Sequence, residues 1–207
     1  MANKDKVYEV ILAICGIMEE KKLYLTQLDA AIGDGDHGLN MAKGFGAAKV
    51  ILDEKKFNTP SDIMKTVGMA LISKVGGAAG PLYGTAFLNA SKIIAAKEEI
   101  DSKDLVAMLE TALDGIKARG KAVVGEKTMV DAIEPAIIAL KKALEEGAST
   151  KEAMDKAVQA AADGVAYTKT IIATKGRASY LGERSIGHED PGAMSSYIIL
   201  KTIAENL

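Results

Sequence analysis

The sequence predicts an all-α fold, an antiparallel helical bundle or barrel of about eight helices. Hydrophobic residues recur every three or four positions along nearly the whole chain, and no segment alternates over the length of a strand. Aromatic residues make up only 4% of the chain and Trp is absent, which disfavours all-β sandwiches. The pattern has no break over 207 residues, so we expect a single domain at residues 1–207.

The individual helices follow from this periodicity. Apolar spacing predicts them at about 4–21, 24–32, 39–56, 62–75, 84–98, 102–119, 130–146, 150–174 and 192–206. Residues suited to N-cap positions precede several of them: Asn3, Ser61, Asp101 or Ser102, and Ser149 or Thr150. Gly147 suits the position just after a helix end, because glycine readily adopts a left-handed conformation.

Charge, cysteine content and hydropathy exclude several classes of protein. The net charge is −2 without a basic block, which disfavours a nucleic-acid binder. The single cysteine, Cys15, excludes an internal disulfide and is expected to be buried as a small hydrophobe. The longest apolar window near the N-terminus, Val10–Met18, is far shorter than the roughly 18 residues of a membrane span. We therefore expect a cytoplasmic protein without a membrane partner.

Glycines concentrate in four loops that alternate along the chain. Short connections make consecutive helices antiparallel, so alternate loops lie at the same end of a bundle. Thirteen of the 20 glycines fall in these loops: Gly33, Gly35, Gly38, Gly76, Gly77, Gly80, Gly84, Gly120, Gly125, Gly176, Gly182, Gly187 and Gly192. Both histidines, His37 and His188, lie there too. Because glycine permits close approach of a ligand, this distribution predicts a binding site at that end.

The first of these loops carries three carboxylates, Asp29, Asp34 and Asp36, within eight residues. Such carboxylates repel one another unless cations compensate, and their hard oxygens suit Mg²⁺. The spacing of residues 33–38 also matches a dinucleotide-binding glycine motif, but a helix rather than a strand precedes it. An EF-hand is excluded because Leu39 stands where that motif requires glycine. A solvated acidic turn is the structural alternative.

Groups that could contact a phosphate follow in each loop. The helix start at His37–Met41 presents free N–H groups, which favour an anion. The segment Lys127–Asp131 offers a cation, the Thr128 hydroxyl and an apolar wall at Met129. Arg177, in a loop of about 17 residues, is the best candidate for a phosphate-contacting side chain, and a surface ion pair is its alternative.

Four motifs together carry a family resemblance. In chain order they are LDAAIGDGDHGLNM, GGAAGPLYGTAF, GEKTMVDA and GRASYLGERSIGHEDPGA. The chain resembles the nucleotide-binding L subunits of bacterial dihydroxyacetone kinases over nearly its whole length. That resemblance implies a barrel with ADP bound at one end through two Mg²⁺, held by Asp29, Asp34 and Asp36.

The resemblance also implies which residues contact the nucleotide. They are His37, Gly38, Leu39, Asn40, Ala78, Ala79, Gly120, Met129, Arg177, Asp190, Pro191 and Gly192. We add Thr128 as a further candidate because its hydroxyl lies in the same loop as Met129. The sequence departs from the common family pattern at Ala79, often serine, and at Leu39, often smaller. A hydroxyl contact at position 79 is therefore lost, whereas a backbone contact can survive.

The implied activity is phosphoryl transfer. Dihydroxyacetone would sit on a separate K subunit, a phosphohistidine M subunit would recharge bound ADP to ATP, and Arg177 would assist transfer. Three alternatives stay open: an ATP-dependent kinase component with freely exchanging nucleotide, a regulatory partner of a transcription factor, and a phosphohistidine carrier using His37 or His188. We also expect a homodimer.

Overall fold

The computed structural model describes residues 2–207, which form nine α-helices, one 3₁₀ segment and a minimal two-stranded sheet. The predicted all-α class is confirmed. The helices are α1 (Lys4–Glu20), α2 (Lys22–Ile32), α3 (His37–Glu54), α4 (Pro60–Lys74), α5 (Ala79–Ile93), α6 (Ser102–Gly120), α7 (Val130–Glu145), α8 (Thr150–Thr168) and α9 (Pro191–Glu205). The 3₁₀ segment spans Arg177–Ser185, and β1 (Ala2–Asn3) pairs antiparallel with β2 (Glu99–Ile100). No helix in this described part of the chain combines the length and the hydropathy that a membrane crossing requires.

The chain divides into two compact units. Unit 1 comprises the N-terminal segment up to Glu20 together with Asn40–Gly120 and Asn206–Leu207. Unit 2 comprises Lys21–Leu39 and Lys121–Glu205. Each unit has its own buried residues.

In unit 1, helices α4, α5 and α6 pack successively, and α1 packs against α4. The Asn3 side chain accepts a hydrogen bond from the Lys6 amide at 3.0 Å, so the predicted cap of α1 is confirmed. Phe45 and Phe87 meet edge to face with ring centroids 5.9 Å apart. Burial raises the pKa of the Cys15 thiol to about 12, which fits the small buried hydrophobe expected there.

Two predictions on the helix starts of unit 1 were wrong. Thr59, not Ser61, caps α4, because Pro60 occupies the first helical position and leaves the cap to the residue before it. Helix α5 begins at Ala79 rather than near Gly84, so two of the presumed loop glycines are helical. A Cβ at Gly84 would lie 2.8 Å from the Gly68 carbonyl oxygen, which indicates that this glycine serves close packing of α4 on α5.

In unit 2, helices α7, α8 and α9 pack against one another, and α2 packs against α9 and the 3₁₀ segment. Ser149 caps α8 through a complete capping box with Glu152, as predicted for Ser149 or Thr150. Helix α8 ends at Thr168, six residues before the predicted end at 174. The chain turns there because tertiary hydrogen bonds replace the next helical ones, as Thr174 N–H donates to the Glu126 carbonyl at 3.3 Å.

Candidate metal and nucleotide site

Three aspartates of unit 2 converge between α2 and α3. Asp29 lies in the last turn of α2, and Asp34 and Asp36 lie in the four-residue connection that follows. Each offers one carboxylate oxygen, and these oxygens all lie within 4.8 Å of one another. Asp29 is buried, whereas Asp34 and Asp36 are exposed. The structure therefore brings together the three residues that the sequence predicted as metal ligands.

Asp29 also organises the connection itself. Its Oδ2 accepts hydrogen bonds from the backbone amides of Asp36 at 2.9 Å and of His37 at 3.1 Å. These bonds satisfy amides at the start of α3 that have no partner inside the helix. The Asp29 Oδ1 lies so close to Gly33 that a Cβ there would be 2.2 Å from it. The glycine thus makes room for the carboxylate.

Arg177 comes to this cluster from a distant part of the chain. Its Nη2 lies 3.0 Å from Asp34 Oδ2, and both side chains keep substantial solvent exposure. The 3₁₀ segment that carries Arg177 is anchored by a small apolar cluster of Ile32, Ala173 and Ala178, with Leu181 packed against it. An exposed pair of this kind adds only about 0–1 kcal/mol of stability. Its significance is that a guanidinium adjoins the carboxylate cluster.

His37 is held at the first position of α3. Its Nε2 lies 2.9 Å from Ser195 Oγ, and that hydroxyl also donates to the Gly192 carbonyl at 3.1 Å. Burial lowers the pKa of the His37 imidazole, against the opposing charges of Asp29 and Asp36. The side chain is thereby fixed between α3 and α9, beside the carboxylates.

Gly38 occupies a position where no side chain fits. A Cβ at Gly38 would lie 2.0 Å from the Lys22 carbonyl oxygen and 2.6 Å from the Thr26 amide nitrogen, both on α2. The first turn of α3 is therefore pressed against the start of α2. The next residue, Leu39, has 52% of its surface exposed and is available to a ligand.

The segment before α7 is shaped by the buried Asp131. Its carboxylate accepts hydrogen bonds from the amides of Gly125 at 2.6 Å and Thr128 at 2.7 Å. Thr128 is partly exposed, and its Oγ1 accepts from the Val130 amide at 3.2 Å. Met129 is buried, so its side chain is mainly a core residue.

Asp190 and Pro191 begin α9. Asp190 Oδ2 accepts the Ala193 amide at 2.7 Å, and Pro191 stands at the first helical position, where its missing N–H has no consequence. A Cβ at Gly192 would lie 3.5 Å from Met129 Cβ, so the start of α9 adjoins the start of α7. Three of the four glycine-rich segments are thus brought together within unit 2.

Asp190 has an unusual environment for a carboxylate. Burial raises its pKa to about 7, and the charges of Asp131 and Asp29 act in the same direction. The hydrogen bond from Ala193 and the ammonium of Lys127 act in the opposite direction. Several negative groups therefore lie close together here, as in a site that receives cations.

The remaining four predicted nucleotide contacts belong to unit 1: Asn40, Ala78, Ala79 and Gly120. Asn40 directly follows Leu39 in α3, and a Cβ at Gly76 would lie 3.7 Å from its Oδ1. A Cβ at Gly120 would lie 3.3 Å from Leu82 in the first turn of α5, near Ala79. Within unit 1, these residues mark the adjoining ends of α3, α5 and α6.

Two residues important to the geometry were not predicted in their actual roles. Ser195 contacts His37 across 158 positions of sequence, which no local pattern reveals. Lys127, expected as a cation for a ligand, is buried and directs its ammonium at backbone carbonyls of the Thr168–His188 region. Its position within the GEKTMVDA motif was the only signal for it.

An all-α protein with clustered carboxylates beside a guanidinium and a helix N-terminus is a candidate metal- and phosphate-binding protein. A family comparison makes this specific. The chain belongs to the DAK2 domain family, whose model matches residues 31–205. The family resemblance of the sequence motifs is thereby confirmed.

Curated relatives agree with this assignment. The chain is 49% identical over 188 residues to the ADP-binding subunit DhaL of PEP-dependent dihydroxyacetone kinase 1 from Listeria innocua, covering 91% of this chain and 89% of the relative. It is 42% identical over 194 residues to the corresponding Escherichia coli subunit, covering 93% and 92%. The dihydroxyacetone kinase of C. freundii, solved with AMP-PNP and Mg²⁺, shares the fold with a TM-score of 0.75 at 24% identity. That match covers 100% of this chain and 34% of the longer one.

Proposed function

We propose that this chain is the ADP-binding subunit of a phosphoenolpyruvate-dependent dihydroxyacetone kinase. It would hold ADP or ATP with Mg²⁺ as a phosphoryl carrier, receive phosphate from a phosphohistidine M subunit and pass it to dihydroxyacetone on a K subunit. The observation that carries the proposal is the convergence of Asp29, Asp34 and Asp36 beside Arg177. The names of the curated relatives support the same activity.

The donor set fits the proposed metal. Mg²⁺ prefers hard oxygen ligands and uses few carboxylates together with water and phosphate oxygens. The three carboxylate oxygens lie within 4.8 Å of one another, and we propose that they hold two such ions. Asp29, Asp34 and Asp36 would hold the Mg²⁺, which when bound neutralises phosphate charge and orients the transferred group.

The chain's own residues would do the positioning. Asp29 fixes the backbone at the start of α3 by accepting the amides of Asp36 and His37, and the next amides of the first turn would face an anion. Arg177 would contact the transferred phosphoryl group and act as the catalytic residue, because a guanidinium stabilises spread negative charge. The proposed nucleotide contacts are His37, Gly38, Leu39, Asn40, Ala78, Ala79, Gly120, Thr128, Met129, Arg177, Asp190, Pro191 and Gly192. We propose residues 1–207 as one functional domain.

Calorimetric titration of the full chain with Mg-ADP tests this proposal. We expect Asp34→Ala to weaken Mg-ADP binding by at least about 100-fold. Replacing a residue that merely supports a metal ligand already lowers metal affinity or activity by about 10–100-fold. The control is Asp155→Ala, which removes an exposed carboxylate that pairs with Lys151 on α8. Wild-type affinity in Asp34→Ala would refute the metal assignment.

An ATP-dependent component with exchanging nucleotide is the second candidate. It is favoured by similarity to a longer kinase, the L-erythrulose 1-kinase of Mycolicibacterium smegmatis, 34% identical over 99% of this chain and 35% of that protein. Exchange of labelled ADP separates the two functions. Retention over many turnovers supports the carrier, whereas exchange within one turnover supports the alternative. A transcription regulator as partner and a homodimer remain predictions.

A further inference from the structure

Lys127 is a buried lysine outside the carboxylate cluster. Only 1% of its surface is exposed, and its backbone has a φ of 61°, in the left-handed region that residues other than glycine seldom adopt. The amides of Gly125 and Thr128, on either side of it, both donate to the Asp131 carboxylate. Asp131 therefore fixes the turn that directs the Lys127 side chain inward.

The Lys127 ammonium is fully engaged by backbone carbonyls. Its Nζ donates to the Thr168 and His188 carbonyl oxygens, the latter at 2.5 Å, and lies 3.5 Å from the Ile171 carbonyl oxygen. An ammonium has three donors, and three carbonyls surround this one. Burial lowers its pKa, while the charge of Asp190 acts in the opposite direction. Lys127 has no donor left for a ligand.

The Thr168 and His188 carbonyls lie at the two ends of the segment that links α8 to α9. We call residues 170–186 of this segment the excursion. We call residues 168–169 and 187–190 the neck of this excursion. The Asp190 amide donates to Thr168 Oγ1 at 3.0 Å, and the Gly187 amide donates to the Lys169 carbonyl at 2.7 Å. Lys169 also forms an ion pair with Glu189 at 3.0 Å. These contacts thus join the two strands of chain that form the neck.

We propose that Lys127 is a positioning residue that closes this neck and thereby holds Arg177 and Asp190 in place for Mg-nucleotide. The excursion carries Arg177, and the neck ends at Asp190, the cap of α9. An ammonium bonded to both sides of the neck ties these two groups to the start of α7. This inference rests on the proposed function, because it assigns the excursion to the same nucleotide site.

The first experiment compares the full-length wild type with Lys127→Met, which removes the ammonium and keeps an unbranched chain. We expect Mg-ADP to bind at least about 10-fold more weakly in calorimetry, because replacing residues that orient metal ligands typically lowers affinity by at least about that factor. Hydrogen exchange without ligand reports the neck directly. The amides of Gly187 and Asp190 should exchange faster in the variant, while α4 and α5 remain unchanged.

A matched control separates positioning from general stability. Leu140→Ala truncates a fully buried side chain of α7 in the same unit and lowers stability, while it removes none of the hydrogen bonds described for the neck. We expect it to reduce the melting temperature and leave the affinity for Mg-ADP unchanged. Equal weakening of binding in Leu140→Ala and Lys127→Met would overturn the proposal, as would wild-type affinity in Lys127→Met.

A second variant decides the matter if Lys127→Met fails to fold. Thr168→Val keeps the shape of the side chain but removes the acceptor of the Asp190 amide. Weaker binding in Thr168→Val supports the neck as the positioning element, and unchanged binding overturns it. If the wild type itself does not bind Mg-ADP, the proposed function fails, and the exchange rates of Gly187 and Asp190 alone decide whether Lys127 closes the neck.

Discussion

At the scale of single residues, the aspartates of the cluster have different tasks. Asp29 is buried and uses one oxygen to hold the amides of Asp36 and His37. Asp34 is exposed and pairs with Arg177. Removing Asp29 would therefore disturb the backbone as well as the ligand set. Removing Asp34 leaves those backbone hydrogen bonds in place and changes only the ligand set and its ion pair with Arg177. This difference makes Asp34 the better residue for testing metal binding.

Asp190 gives a pH-dependent prediction for the metal-free protein. Its folded pKa of about 7 is above the ordinary value of 3.8, so the folded state binds the proton more tightly than the unfolded state. Its contribution to stability is therefore present at low pH and is lost as pH rises from about 4 to 7. Between pH 5 and 8, wild type should lose about 3 kcal/mol relative to Asp190→Asn, because the loss extends over about two pH units at about 1.4 kcal/mol per unit.

Urea unfolding in a chelator at both pH values measures this difference. The asparagine variant is a suitable reference because its side-chain oxygen can still accept the Ala193 amide and cap α9. Parallel pH profiles of the two proteins would show that the Asp190 carboxyl titrates normally.

At the scale of elements, α7 and α8 owe their close contact to a proline and a glycine. Pro135 lies inside α7 and has no N–H for the carbonyl of Asp131, one turn earlier. Gly164 of α8 packs on that carbonyl, so closely that a Cβ would lie 2.1 Å from the oxygen. The two residues are 29 positions apart, yet together they bring α8 against the first turn of α7, which directly follows Thr128 and Met129.

Gly164→Ala should destabilise the protein by about 1–3 kcal/mol, because the added methyl meets backbone that cannot move aside easily. Gly46→Ala on α3 is the matched control, since nothing lies within 4 Å of a Cβ there. It should be neutral or stabilising by about 0.5–1 kcal/mol, the ordinary gain of alanine over glycine in a helix. Denaturant unfolding of both variants measures this, and equal effects would contradict the packing argument.

The helices were largely predictable, and their ends were not. The buried side of α1, with Val7, Ile11 and Ile14, follows directly from the three- and four-residue spacing. The start of α5 was missed because Gly80 and Gly84 suggest a loop locally, while packing on α4 favours helix. The end of α8 was missed because distant groups, the Glu126 carbonyl among them, bind the chain after Thr168.

At the scale of the whole molecule, the sequence predicts the residues that would bind ligand better than the residues that hold them in place. The carboxylates and Arg177 could be identified because loops rich in glycine and charge are unusual in a helical chain. The residues that hold them in place could not be identified. Ser195 and the neck bound by Lys127 depend on contacts between residues far apart in sequence. A net charge of −2 likewise conceals the local excess of carboxylate in unit 2.

We propose above all that the chain holds Mg-nucleotide through the cluster of Asp29, Asp34 and Asp36. Native mass spectrometry of the purified wild type, with Asp34→Ala beside it, tests this most directly. We expect one ADP and two Mg²⁺ on the wild type and neither at comparable occupancy on the variant. A wild type that stays free of nucleotide in excess Mg-ADP, or a variant that carries the same ADP and Mg²⁺ as wild type, would contradict it.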